Sequence, residues 1–178
     1  STACLGGEIP QAILKGRIDV AEITAKWYQE IFGEDFYLEI QDHGSIEDRV
    51  VNIEIIRIGK KYGIKIIATN DAHYISNKDV GAHDALLCVL TGKLISDQKR
   101  LRYTGTEYIK GEEEMLNLFR DHIDIDTIRE AINNTTEIAN KVEIFELFGE
   151  YRMPKYPLLE NKKAIDFLKE VSEDGLKK

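Results

Sequence analysis

Two cysteines, three prolines and one tryptophan are all that this 178-residue chain holds of those residue types, and each scarcity excludes something. Cys4 and Cys88 are too few for a disulfide framework, so both thiols are expected to be reduced. Two of the three prolines, Pro154 and Pro157, fall in one late stretch, which leaves the rest of the chain free to form regular elements. No segment approaches the roughly 18 unbroken apolar residues of a membrane span. The first residues carry no basic stretch followed by an apolar core, so no secretory signal is legible. A cytoplasmic setting without a membrane partner is the expectation. Positive charge is also short, with 24 Lys and Arg against 32 Asp and Glu and a net charge of -8. A dedicated nucleic-acid-binding surface needs clustered cations against phosphate, so that class is disfavoured where no metal ion or neighbouring domain supplies the charge.

What is present is a regular alternation of elements. Ala3-Cys4-Leu5 reads as the end of a strand, Gly6-Gly7 as a turn, and Pro10 as the first position of a short helix. Asp19 and Glu22 resemble a capping pair for a helix over 20–31, whose Ile23, Trp27 and Ile31 recur at helical spacing, and Gly33 stops it. A strand over 36–41 follows, then the corner Asp42-His43-Gly44-Ser45. Ser45 and Asp48 cap a helix over 46–62 that is expected to carry Val50, Ile53, Ile56 and Ile58 to a core, and Gly63 ends it. The apolar run 64–69 is the next strand. This order is the signature of a parallel sheet or barrel. Beyond it the spacing predicts a helix over 79–90, a basic loop at 99–103, a short strand near Tyr108-Ile109, helices over 112–119 and 125–142, a boundary over about 147–161 and a last helix from Ala164.

The chemistry concentrates where the strand over 64–69 ends. Asp71 and His73 stand two apart there, a hard oxygen and a borderline nitrogen able to converge on one divalent ion. Cys4, at the end of the first expected strand, adds a soft ligand if the strand ends share one rim. Glu8, Glu39, Asp42 and His43 lie near other strand ends and could brace the ligands by hydrogen bonds or serve as extra ligands, although a loop or capping role is the commoner fate of such residues. Lys99, Arg100 and Arg102 are candidates for contact with a phosphate backbone, against the blander reading of a solvated loop.

Several of these strings together carry a resemblance. Ala3-Cys4-Leu5-Gly6-Gly7-Glu8-Ile9, Phe36 to Gly44, Thr69-Asn70-Asp71-Ala72-His73-Tyr74, Ala82 to Cys88 with Thr91-Gly92-Lys93, and Asn134 to Ala139 resemble, in order, the PHP (polymerase and histidinol phosphatase) region of bacterial replicative DNA polymerase III alpha subunits. The resemblance implies part of a distorted β/α barrel followed by a mostly helical linker. Its division would be 1–95 as the C-terminal half of the PHP domain, 96–150 as an α-rich extension and 151–178 as the approach to the palm. It implies a divalent metal, Zn, Mn or Mg, with Cys4, Asp71 and His73 as ligands, and a role in 3′ to 5′ exonucleolytic proofreading or as scaffold. It further implies a parent DNA-directed DNA polymerase using Mg, whose partners are primer-template DNA, deoxynucleotides and other replicase subunits. The opening HxH motif of the PHP family occurs nowhere in this sequence, and the polymerase carboxylates are expected beyond Lys178. The expectation is therefore a fragment, inactive alone, with exposed barrel edges inclined to self-association. The alternatives are a free-standing metal-dependent phosphoesterase and a non-catalytic protein-binding module.

Overall fold

The computed structural model describes residues 1–150, 152–154, 156–158 and 162–177. Its backbone forms two compact units, Ser1–Val142 and Glu143–Lys178. The helices are α1 (Glu8–Leu14), α2 (Ile18–Phe32), α3 (Ile46–Tyr62), α4 (Val80–Thr91), α5 (Glu112–Phe119), α6 (Ile125–Lys141) and α7 (Ala164–Leu176), and the strands are β1 (Leu38–Ile40) and β2 (Ile66–Ala68). The class is α/β, as expected, with a small parallel sheet.

Three residues in each strand, mostly apolar, place Leu38 opposite Ile66, Glu39 opposite Ile67 and Ile40 opposite Ala68 in a parallel ladder. Parallel pairing requires a crossover, and α3 supplies it. The helix starts because the Ser45 hydroxyl accepts the Asp48 amide at 2.9 Å while the Asp48 carboxylate takes the Ser45 amide. It stops because Gly63 adopts a left-handed φ of 66°, where a side chain would be strained. Helix α3 packs against β1 and α6 against β2, while α1 packs on α3 and α5 on α6. Ile9, Ile13, Leu38, Ile40, Ile55, Ile58, Phe119 and Ile128 are all at most 3% exposed. Two buried amides satisfy backbone carbonyls in and just after the strands: Asn134 donates to Ile66 of β2 at 2.7 Å and Asn52 to Gln41, one residue past β1, at 2.8 Å, so neither carbonyl bears the cost of burial without a partner.

Several sequence expectations are displaced. Ala3-Cys4-Leu5 is a turn, closed by the Gly7 amide on the Cys4 carbonyl at 2.8 Å, with Ala3 at φ 59°. The leading residues lie against β1 through the Thr2 hydroxyl, which accepts the Glu39 amide at 2.8 Å. Gly7 is required there, because a Cβ would stand 2.1 Å from the Thr2 carbonyl. Pro10 is the third residue of α1, not its first. Helix α2 opens at Ile18, so Asp19 sits inside its first turn. Its buried positions are Ala21 and Ala25, whereas Ile23, Trp27 and Ile31 are 66%, 53% and 53% exposed. Two small residues let α1 approach closely, and that contact outcompetes the bulkier stripe. Helix α3 shows a similar phase error. Val51, Ile55 and Ile58 face the core, Ile56 is partly buried, and Val50 and Ile53 face outward. The expected strand near Tyr108 is reduced to one bridge between Tyr74 and Tyr108.

Among the described residues of the second unit α7 is the regular element. The Tyr156 and Phe167 rings stack with centroids 5.4 Å apart. The expected boundary over 147–161 includes Tyr151, Lys155 and residues 159–161, which lie outside the described residues.

Candidate metal centre

The ladder ends where the Thr69 amide donates to the Ile40 carbonyl at 3.1 Å. From there the chain is held by a second segment. The Asn70 amide donates to the carbonyls of Thr106 at 3.1 Å and Tyr108 at 2.6 Å. The backbone amides of His73 and Tyr74 both donate to the Glu107 carbonyl, at 2.8 and 3.3 Å, and Ile109 donates back to Tyr74 at 3.2 Å. The loop after β2 is thus stapled to residues 104–109, and in it Asp71 takes a left-handed φ of 45°.

That conformation brings the Asp71 carboxylate to 3.3 Å from His73 Nε2, with the two side chains 48% and 33% exposed. The two side chains do meet, but the loop brings them together, not the alternation of an extended strand. The His73 ring is flanked by Tyr103 at 4.5 Å and His83 at 5.3 Å between centroids. Burial raises the Tyr103 phenol above its usual range, and the nearby Asp71, Glu107 and Cys4 add to this.

The staple depends on one buried carboxylate. Glu107, 2% exposed, accepts the Thr104 amide at 3.0 Å and hydroxyl at 2.7 Å on one oxygen, and the Gly105 amide at 2.9 Å and Tyr74 hydroxyl at 3.2 Å on the other. Burial alone would raise its pKa, but the hydrogen bonds from Thr104 and Gly105 outweigh it and hold the group at about 2. His43 joins this cluster, its Nδ1 lying 2.9 Å from the Thr106 hydroxyl and 3.6 Å from Glu107.

The remaining candidates separate. Cys4 is exposed, and it belongs to no group of three ligand atoms within 4.8 Å of one another among the described residues. Glu39 accepts from Gln41 at 2.9 Å and from the Thr69 hydroxyl, which makes it a brace for the strand ends. Glu8 accepts from Tyr28 of α2 at 3.2 Å. Arg100 is unsuited to backbone phosphate, because its guanidinium is held bidentately by Asp84 and its side chain is 3% exposed. Lys99 and Arg102 are exposed.

Asp42 belongs to a group that sequence spacing did not reveal. It is 3% exposed and, with Asp121 and His122, forms a set whose ligand atoms lie within 4.8 Å of one another. His122 Nδ1 is 2.6 Å from Asp121 and 3.8 Å from Asp42. The donor types suit a divalent cation. Arg49, however, stands 2.6 Å from Asp121 and already supplies its counter-charge, so this group fits a cation less well than the open Asp71-His73 pair. Asp121, His122 and Glu107 are remote in sequence from the residues they meet, and the turn residues Thr104-Gly105-Thr106 before Glu107 were the one available hint.

Residues 1–43 match the family model described as PHP domain. Proteins called DNA polymerase III subunit alpha are similar over nearly the whole chain. That of Borreliella burgdorferi is 36% identical over 99% of the chain, that of Thermus aquaticus 37% over 98%, and that of Campylobacter jejuni 38% over 88%. The chain spans only 13–15% of the length of these relatives. From end to end, then, the sequence is a segment of the DNA polymerase III alpha-subunit type that contains part of a PHP domain.

Proposed function

We propose that the Asp71-His73 pair is one part of a divalent-metal site in the PHP region of a replicative DNA polymerase polypeptide. Residues 1–95 form the later half of that region, 96–150 an α-rich extension and 151–178 the approach to the palm. The whole polypeptide extends a primer on template DNA from deoxynucleotides with Mg and works beside other replicase subunits, while this segment carries none of the carboxylates for that step. The PHP rim serves removal of a 3′ nucleotide. The observation that carries this reading is the 3.3 Å convergence of a carboxylate and an imidazole on an open rim, in a chain whose relatives are polymerase subunits.

A bound Zn, Mn or Mg ion supplies Lewis-acid chemistry to a phosphodiester. Asp71 contributes the hard oxygen and His73 a nitrogen of a ring that packs against Tyr103 and His83. Glu107 and His43 hold the loop that presents them. Cys4 is the weakest member of the set, since it stands off the pair. That separation favours a second reading, a scaffold whose rim has lost its metal. Metal analysis of the full-length parent protein separates the two. Stoichiometric metal that falls on Asp71→Asn supports the site, and metal-free parent protein unaffected by the substitution refutes it. The 178-residue chain alone is expected to show neither polymerase nor exonuclease activity.

A further inference from the structure

Beside the Asp71-His73 rim, a cavity of about 270 Å³ opens between the start of α4 and the loop carrying Arg102 and Tyr103. It is smaller than the roughly 300–1,000 Å³ typical of drug-sized ligands, the scale of a single planar ring system. Val80 and Leu87 give it aliphatic walls, and Tyr103 and His83 give it aromatic ones, the two rings meeting edge to face with centroids 5.1 Å apart and planes at 70°. Gly81 contributes open space, because a Cβ built there meets no atom within 4 Å. Asp84 also lines the cavity, but its carboxylate is clasped by Arg100 and presents no free negative charge. Arg102 is exposed at the edge and has one guanidinium nitrogen on the Asp97 carbonyl at 3.3 Å, so other N–H donors remain for an anion. The same Tyr103 ring that lines the cavity packs on His73 at 4.5 Å.

We infer that this cavity binds the base of a single nucleotide, stacked on Tyr103 with His83 beside it, and with its phosphate drawn toward Arg102. An aromatic wall accepts any base through its π face, and a guanidinium at the mouth matches a phosphate. An apolar slot with a cation at one edge thus selects a flat ring that carries an anion, which is the chemistry of a nucleoside monophosphate. The role of the pocket, holding the terminal nucleotide beside the rim, rests on the metal-site reading above, but the binding itself does not.

The test is titration of the 178-residue chain in EDTA with 2-aminopurine deoxyriboside monophosphate, followed by fluorescence. Saturable quenching is expected, weakened roughly tenfold by Tyr103→Ala, as loss of one stacking surface implies. Gly81→Leu places a bulky side chain on the cavity lining without removing any contact and replaces glycine in a helix, so it folds at least as well, and it weakens the quenching. Arg102→Ala weakens the monophosphate but not the unphosphorylated nucleoside. Absence of saturable quenching, unchanged affinity in Gly81→Leu, or equal competition by ribose 5-phosphate overturns the inference. Because chelator is present, these outcomes do not depend on the metal site. Loss of metal on Asp71→Asn in the parent protein tests that site separately.

Discussion

Replacing Glu107 by glutamine changes one atom and removes one charge, and the geometry makes it costly. Each carboxylate oxygen accepts a backbone amide, Thr104 on one and Gly105 on the other. Whichever way a glutamine amide is turned, its NH2 faces a backbone N–H that cannot become an acceptor. The Thr104 and Tyr74 hydroxyls can rotate, but the two amides cannot. Loss of charge-assisted hydrogen bonds and creation of an unpaired buried donor together cost about 3 kcal/mol. The titration argument agrees in size: the folded pKa of about 2 against an ordinary 4.5 corresponds to about 3 kcal/mol of linkage. The sign follows from the depressed value. The contribution is complete above pH 4.5 and is lost as pH falls through 2. In urea, with a slope of about 1–3 kcal/mol per molar, Glu107→Gln should lower the midpoint by about 1–3 M at pH 7, and the gap should close toward pH 2. A variant within about 0.5 kcal/mol of the parent at pH 7, a difference typical of featureless surface changes, would refute the reasoning, as would a gap that persists undiminished into acid.

Phe119→Ala, at a fully buried ring joining α5 to the sheet, should cost about 3–5 kcal/mol in the same urea assay. Ser45→Ala removes the cap of α3 and should cost about 1 kcal/mol, read as a drop of a few degrees in Tm. The phase of α2 and α3 is checked by a pair: Ile23→Ser, on the exposed stripe, should be nearly neutral, whereas Ile55→Ala should cost about 2–5 kcal/mol. Gly7→Ala should displace the leading turn, seen as amide chemical-shift changes at Thr2 and Glu39, because its Cβ would meet the Thr2 carbonyl.

Helix existence was legible wherever local chemistry decides it. Ser45 with Asp48, the left-handed glycines 33, 63 and 92, and the acidic start at Glu112 act within a turn of themselves, and the helices fall within one or two residues of expectation, with α2 opening two residues early. The face turned inward was not legible. Helices α2 and α3 each carry two apolar stripes, and only the neighbouring helix and strand select one. The leading residues misled for a related reason: an apolar triplet suits a strand, but without a ladder partner it closed into a turn on Gly7.

The sequence by itself determined the α/β order, the caps and the placing of Asp71 and His73 two apart, because these depend on residues a few positions apart. The tertiary structure alone decided that Glu107 anchors that loop, that Arg100 is neutralised by Asp84, that Asp42 meets Asp121 and His122, and that Cys4 stands apart from the pair. Those relations join residues 16 or more positions apart, where no spacing rule operates, and they exist only once burial has made each charged or polar group find a partner.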